Sequence, residues 1–156
     1  MSLFCLCVVE DIKERNKILF YTQQLMALAK RYKRGIKFFV DWSEPIVSRI
    51  KKDSLVINVL DCPESDNCEM FLLPNGWYSN GETNELTFRE RIKFLQDISN
   101  VFIKSQYSID IYLGNSGTHA NEFFNITLKS CNLIDYLTKT VGLNGVNNGI
   151  HISVTP

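Results

Sequence analysis

The stretch TFRERIKFLQDISNVFIKSQYSIDIYLG, residues 87 to 114, changes its hydrophobic period partway along, and this change decides the fold class. In its first part apolar residues recur every three to four positions, as on one face of an amphipathic helix: Phe88, Ile92, Leu95, Ile98 and Phe102. Thr87 and Glu90 have the spacing of a capping box, which predicts that the helix starts at Thr87. In its last part apolar and polar residues alternate, which predicts a half-buried strand with one face formed by Tyr107, Ile109, Ile111 and Leu113.

The same two periods organise the rest of the chain. A second helix is predicted over residues 11–33, with basic residues in its last turn and Gly35 as its stop. Short helices are predicted over 43–53 and 132–142, the latter with Asn132 as N-cap. Strand-type runs cover 2–9, 36–42, 54–61, 69–73, 107–114, 125–130 and 150–155. This order predicts one α+β domain over residues 1–156, with a mixed or mostly antiparallel sheet packed against two long and one or two short helices.

Composition excludes several classes of protein. Apolar residues make up 45% of the 156 residues and charged residues 22%, as in an ordinary globular chain. The first residues, MSLFCLCVVED, lack the basic start of a signal peptide, and no stretch approaches the roughly 20 apolar residues of a membrane span. We therefore expect a cytoplasmic protein with no membrane partner.

Charge is balanced over the whole chain but not along it. The net charge is zero, which gives no global attraction to nucleic acid. Residues 1–52 contain eleven basic and five acidic residues, whereas residues 53–156 contain six and twelve. A dipolar molecule results if the fold keeps the two regions apart.

The cysteines are expected to be free thiols. Their number is odd and their spacing irregular, which argues against a disulfide framework: Cys5, Cys7, Cys62, Cys68 and Cys131. A zinc site needs closely spaced pairs, and only a C-x-C and a C-x5-C are available. We predict no metal and no cofactor.

The loop YLGNSGTHANEFF, residues 112 to 124, concentrates the residue types that catalysis uses. Gly114 and Gly117 do not have the phosphate-loop spacing, and no Lys follows them. Ser116 misses the spacing of a hydrolase nucleophile elbow by one residue. We interpret the loop as a turn that displays side chains. The alternative is a small hydrolase or transferase that uses Ser116 with His119, or with the other histidine, His151.

Two charged segments are candidates for partner binding. The acidic segment DCPESDNCE, residues 61 to 69, is either a solvated loop or an acidic patch that docks a basic partner or imitates phosphates. Aromatic residues in the Gly/Asn-rich loop that follows either pack into the core or serve as interface anchors. In the binding hypothesis these residues and Asn115 of the other loop form the interface: Asp61, Glu64, Asp66, Glu69, Trp77, Tyr78 and Asn115. The basic segment KRYKRGIK, residues 30 to 37, matches the negative end of the helix dipole or, alternatively, grips phosphates in a nucleic-acid-binding module.

The second half of the chain resembles a known group of proteins. Over residues 86 to 155 a capped helix is followed by a strand ending YLGNSG, a further strand, a short helix beginning NLIDYL and a closing strand. This arrangement resembles the small α+β immunity proteins that bacteria pair with contact-dependent and other polymorphic toxins. The resemblance implies a non-enzymatic protein that binds and neutralises the C-terminal domain of a cognate toxin, often a nuclease. Many nuclease immunity proteins are strongly acidic, whereas this chain is neutral overall.

Overall fold

The structure, a computed structural model, describes residues 3–38, 45–64, 85–115, 117–141 and 149–156. Within these residues one sheet contains six strands: β1 (Leu3–Val9), β2 (Gly35–Lys37), β3 (Leu55–Leu60), β4 (Ile109–Asn115), β5 (Phe124–Lys129) and β6 (Ile150–Thr155). Their order across the sheet is β2-β3-β1-β4-β6-β5. Strands β5 and β6 run parallel, and every other neighbouring pair is antiparallel. The predicted α+β class with a mixed sheet is confirmed.

Three helices of the described chain cover one face of this sheet: α1 (Arg15–Tyr32), α2 (Glu85–Ile103) and α3 (Leu133–Tyr136). Alternate strand residues point towards them, as the two-residue period of a strand requires. On β4 these are Ile109, Ile111 and Leu113, which join the main hydrophobic cluster together with residues of all three helices. The alternation in residues 107 to 114 therefore marks the core face of a central strand.

Several helices and strands begin or end at residues other than those predicted from the sequence. Helix α2 begins at Glu85, so Thr87 lies inside its first turn and is not the N-cap. The strand predicted over 36–42 ends at Lys37, and the short helix predicted over 43–53 is a 3₁₀ helix, Pro45–Arg49. Beyond Lys129 the chain forms a 3₁₀ turn, then α3, then a π-helical turn, Leu137–Val141, and the Asn132 side chain makes no capping hydrogen bond. The strand predicted over 69–73 lies outside the described residues, and the single domain over 1–156 stays a prediction.

Helix α1 ends at Tyr32, one residue before the predicted end at Lys33, and its cap is Lys33 and not the predicted stop, Gly35. Lys33 takes the left-handed conformation, with φ 57°, and its N–H meets the carbonyls of Ala29 and Lys30. Gly35 instead begins β2, where a Cβ atom would lie 2.5 Å from the carbonyl oxygen of Cys62. Glycine is needed at this position because two backbones approach closely, not because the helix needs a stop.

The opposite face of the sheet has a smaller apolar cluster and a polar area beside it. Leu6 and Val8 of β1 pack there with Ile46 of the first 3₁₀ helix. That 3₁₀ helix contacts a second one, Ala120–Glu122, which precedes β5. Towards β6 and β5 the same face becomes polar, and the candidate site lies there.

Candidate functional site

Four polar side chains meet on the face of the sheet that the helices leave uncovered. Asp110 comes from β4, His151 from β6, Asn125 from β5 and Arg49 from the end of the first 3₁₀ helix. In the pairing register His151 lies opposite Asn125 on one side and opposite Tyr112 on the other. These four residues, here called the His151 network, are separated by up to 102 positions in the sequence and meet only through the strand order.

Hydrogen bonds fix the orientation of every member of the network. The Asn125 amide donates from Nδ2 to the Phe123 carbonyl at 3.2 Å, so its Oδ1 faces the other members. Arg49 donates from Nη2 to this Oδ1 at 2.9 Å, and His151 Nδ1 lies 2.8 Å from it. His151 Nε2 lies 2.8 Å from Asp110 Oδ1. Both ring nitrogens therefore face acceptors, and the imidazole satisfies both only when each nitrogen carries a proton.

Aromatic rings hold His151 and Arg49 in place. The His151 ring stacks on Tyr112 with centroids 4.4 Å apart and planes at 6°. The Arg49 guanidinium lies 5.6 Å from the centroid of Tyr112 and 5.8 Å from that of Phe123, within the range of cation–π attraction. Arg49 also donates to the Ala120 carbonyl at 3.2 Å. Burial, and then the charge of Asp110, raise the pKa of Tyr112 to about 12, although Arg49 acts in the opposite direction.

The site is partly open to solvent. The side chains of Asp110 and His151 are 22% and 14% exposed, respectively. Phe124, the first residue of β5, is 65% exposed and is the most exposed large apolar residue of the described chain. Both ring nitrogens of His151 are engaged by neighbouring side chains, so the orientation of the ring is fixed. The arrangement offers fixed polar groups on this face of the sheet, whereas Phe124 pairs with Ile150 and points to the opposite, helix-covered face.

The predicted acidic surface is only partly described. The Asp61 carboxylate lies 3.0 Å from Arg34 Nη1 and 3.1 Å from Arg91 Nη2, and the Arg91 side chain is only 4% exposed. Asp61 therefore pairs with two arginines inside the molecule. Glu64 is exposed. Asp66, Glu69, Trp77 and Tyr78 lie outside the described residues.

The loop expected to display Asn115 begins later than predicted. Strand β4 continues through Gly114 to Asn115, so the turn does not start at Gly114. His119 is exposed, and its backbone N–H donates to the Glu122 carboxylate at 3.4 Å. Ser116 lies outside the described residues, so the Ser116–His119 pair is not tested.

The basic segment 30–37 is divided between two environments. Lys30, Arg31 and Lys33 are exposed at the end of α1. Arg34 instead points inward and donates from Nη1 to both the carboxylate and the backbone carbonyl of Asp61, each at 3.0 Å. Of the four basic residues predicted to contact phosphates, Arg34 is thus paired with a carboxylate of the same chain.

Sequence reasoning treated His151 only as a possible base for Ser116 and missed its three partners. The available signal is weak: Asp110 and His151 occupy outward positions of strands whose alternate residues are apolar. A polar residue at such a position normally faces water. Only the strand order shows that these outward positions are neighbours.

No group of three or more His, Cys, Asp or Glu side chains suited to a metal ion occurs among the described residues. The described helices also include none with the length and apolar content needed to cross a membrane. Comparisons of the chain with protein-family models, with curated proteins and with solved structures give no significant match.

Proposed function

We propose that this chain is a non-enzymatic immunity protein that binds the C-terminal domain of a cognate bacterial toxin and neutralises it. The observation that carries the proposal is the edge strand β5, which has the rigid His151 network on one face and the exposed Phe124 ring on the other, so that a partner clasping this edge contacts both. Interface residues that dominate binding energy are enriched in aromatic side chains and arginine, and they work best when they need no reordering on binding.

The His151 network contains an arginine and aromatic rings, and its side chains are ordered before binding. The side chains of Arg49 and His151 are held by hydrogen bonds and by stacking on Tyr112 before any partner arrives. The conformational entropy of these side chains is therefore lost when the chain folds and not when a partner binds. Phe124 adds apolar area at the neighbouring edge strand, where a partner excludes water from it. In this proposal Phe124 is the anchor, and Glu64 with Asp66 steers a basic toxin during encounter.

The test is binding kinetics against the toxin domain encoded beside the gene, together with rescue of cells that express that domain. Phe124→Ala is expected to weaken binding about tenfold or more, mainly through faster dissociation. The matched control is Ile134→Ala on α3, which truncates another exposed apolar residue, 44% exposed, away from the network. Its affinity is expected to stay within about twofold of the parent chain.

Charge reversal tests the steering part separately. Glu64→Lys with Asp66→Lys is expected to slow association and to reduce its salt dependence, while thermal melts stay unchanged. Equal association rates in the parent and the variant would remove the acidic segment from the interface. If neither variant set changes binding, the interface lies elsewhere.

The enzymatic alternative has its own test. Ser116→Ala and His119→Ala are expected to leave toxin neutralisation unchanged. A hydrolase or transferase activity of the purified chain that either substitution abolishes would replace the binding proposal.

A further inference from the structure

Three large apolar side chains on the outward surface of α1 are about half exposed to solvent. Leu19 is 57% exposed, Phe20 53% and Met26 49%. Leu19 and Met26 are seven residues apart, and so are Phe20 and Ala27, which places each pair on the same side of the helix two turns apart. The core side of α1 is formed by other residues, Tyr21, Leu25, Leu28 and Ala29. The helix therefore has a second apolar stripe that the fold does not use.

This stripe leads into a cavity at the end of α1. The cavity has a volume of about 490 Å³ and lies between the helix, β2 and the chain after β3; its lining includes Met26, Ala27, Lys30, Arg34, Ile36 and Pro63. The volume falls within the range of pockets that hold small ligands or inserted side chains. Met26 and Ala27 belong to both the stripe and the cavity, so the two features form one continuous surface.

The charge around this surface has one sign. Helix α1 contains four basic residues and no Asp or Glu: Arg15, Lys17, Lys30 and Arg31. Two of these approach carboxylates of other segments at 3.7 Å, Lys17 that of Glu14 and Arg31 that of Asp97. The charged residues among the described lining of the cavity are Lys30 and Arg34. Arg34 is already paired with Asp61 at 3.0 Å, so the charge that the cavity offers to a partner comes from Lys30. Glu64 follows the lining residue Pro63 and is exposed, which places a negative charge near the Pro63 side of the cavity. The positive charge therefore lies on the side formed by α1.

The positive charge of this surface distinguishes between the molecules that could bind there. Packing α1 of one copy against α1 of another would bring together helices that carry only cations, which is unfavourable. An anionic membrane would match the charge, but a bilayer surface does not fill a concave cavity. A protein segment with carboxylates and projecting apolar side chains matches both the charge and the shape.

We propose that α1 and this cavity form a docking surface for an acidic amphipathic segment of a partner protein. One apolar side chain of the segment enters the cavity, others cover Leu19 and Phe20, and its carboxylates face Lys30 and the neighbouring basic residues. This surface lies on the helix-covered side of the sheet, away from the His151 network, and the proposal does not require the partner to be a toxin.

The probe is a random twelve-residue peptide library displayed on phage and selected on the immobilised full chain. Enriched peptides are expected to combine Asp or Glu with large apolar residues. The leading peptide, made synthetically, is expected to bind Leu19→Lys with Met26→Lys about tenfold or more weakly, which corresponds to about 1.4 kcal/mol, and to bind less tightly as salt is raised. Phe124→Lys, on the edge strand β5 at the opposite end of the sheet from β2 and the cavity, is the matched control and is expected to bind like the parent. Circular dichroism melts check that both variants are folded.

Four outcomes would overturn the proposal. The first is no enrichment, or enrichment of peptides without acidic residues. The second is equal binding of the leading peptide to the parent and the double variant. The third is binding to phosphatidylserine–phosphatidylcholine vesicles that the double variant loses, with no peptide selected, which would assign the surface to membranes. The fourth is a dimer in sedimentation runs that the double variant abolishes, which would assign it to a second copy.

Discussion

The imidazole of His151 lies parallel to the phenol ring of Tyr112, with centroids 4.4 Å apart, although the two residues are 39 positions apart in the sequence. They are direct neighbours across the antiparallel pair β4–β6. The stack sets the plane of the imidazole, and that plane directs one ring nitrogen to Asp110 and the other to Asn125. Tyr112 thus orients a polar network in which its own hydroxyl group makes no described hydrogen bond.

Asp110 and His151 are expected to stabilise the fold as a coupled pair. A double-mutant cycle of Asp110→Asn and His151→Gln should give a coupling energy of about 1–2 kcal/mol by urea denaturation near neutral pH, because the pair is mostly buried but still reached by solvent. The exposed pair Asp135–Lys139, 3.2 Å apart, is the control and should couple by less than about 0.5 kcal/mol. Equal coupling in both pairs would contradict the network.

Tyr112 is expected to make stability fall at alkaline pH. Burial raises its pKa to about 12 in the folded chain, whereas a tyrosine in an unfolded chain titrates near about 10. The folded state therefore keeps the phenolic proton after the unfolded chain has lost it. The resulting stabilisation is fully present below about pH 10 and is lost progressively as the pH rises to about 12.

The measurement is the urea midpoint between about pH 9 and 11 for the parent and for Tyr112→Phe. The variant should lose less stability over this interval. Tyr32 also has a pKa raised to about 12, by burial and by its hydrogen bond to Asp97, and it acts equally in both proteins. Parallel pH curves would show that Tyr112 does not contribute.

Asp61 is expected to be a structural residue, unlike its exposed neighbour Glu64. Asp61→Asn removes the carboxylate that Arg34 and the buried Arg91 share, and should reduce the free energy of unfolding by about 2–4 kcal/mol. Glu64→Gln should change it by no more than about 0.5 kcal/mol. Chemical denaturation of the two variants separates these expectations, and similar values for both would place Asp61 at the surface.

Gly35→Ala is expected to destabilise the chain through a backbone clash. The added Cβ would lie 2.5 Å from the Cys62 carbonyl oxygen, so β2 or the chain after β3 must move, at about 1–3 kcal/mol. Gly114→Ala is the matched control, because its Cβ would approach only the ends of side chains, Phe4 and Thr118, at 3.2 Å. Thermal melts should show the larger loss for Gly35→Ala, and the reverse order would refute the close approach as the reason for glycine.

Thiol reactivity is expected to follow burial. Cys131 is exposed and should react rapidly with an aromatic disulfide reagent in the native protein, whereas Cys5 and Cys7 are buried and should react only after unfolding. Titration under denaturing, non-reducing conditions should find all five thiols. A deficit of two or four thiols would reveal a disulfide.

The α+β class could be predicted because it depends on local periods. Apolar residues recur at helical spacing from Phe88 to Phe102 and alternate with polar ones from Ile109 to Leu113. Each pattern gives its segment one apolar face, which the segment buries in the folded chain. Boundaries were less predictable. Helix α1 ends at Tyr32 and is capped by Lys33, which takes a left-handed conformation without being glycine, and the role of Gly35 depends on the distant Cys62.

That this chain forms helices packed on a sheet follows from its amino-acid sequence, because each segment has its own apolar period. Which polar residues meet depends on how those segments pack. Asp110, Asn125 and His151 come together because β6 inserts between β4 and β5, and a strand order cannot be deduced from the period of any one strand. Asp61 is a second example. Its acidic neighbours in the sequence suggest an exposed segment, but its carboxylate lies between Arg34, just after α1, and Arg91 of α2. Pairing across elements is a property of the packed chain, and local sequence constrains it only weakly.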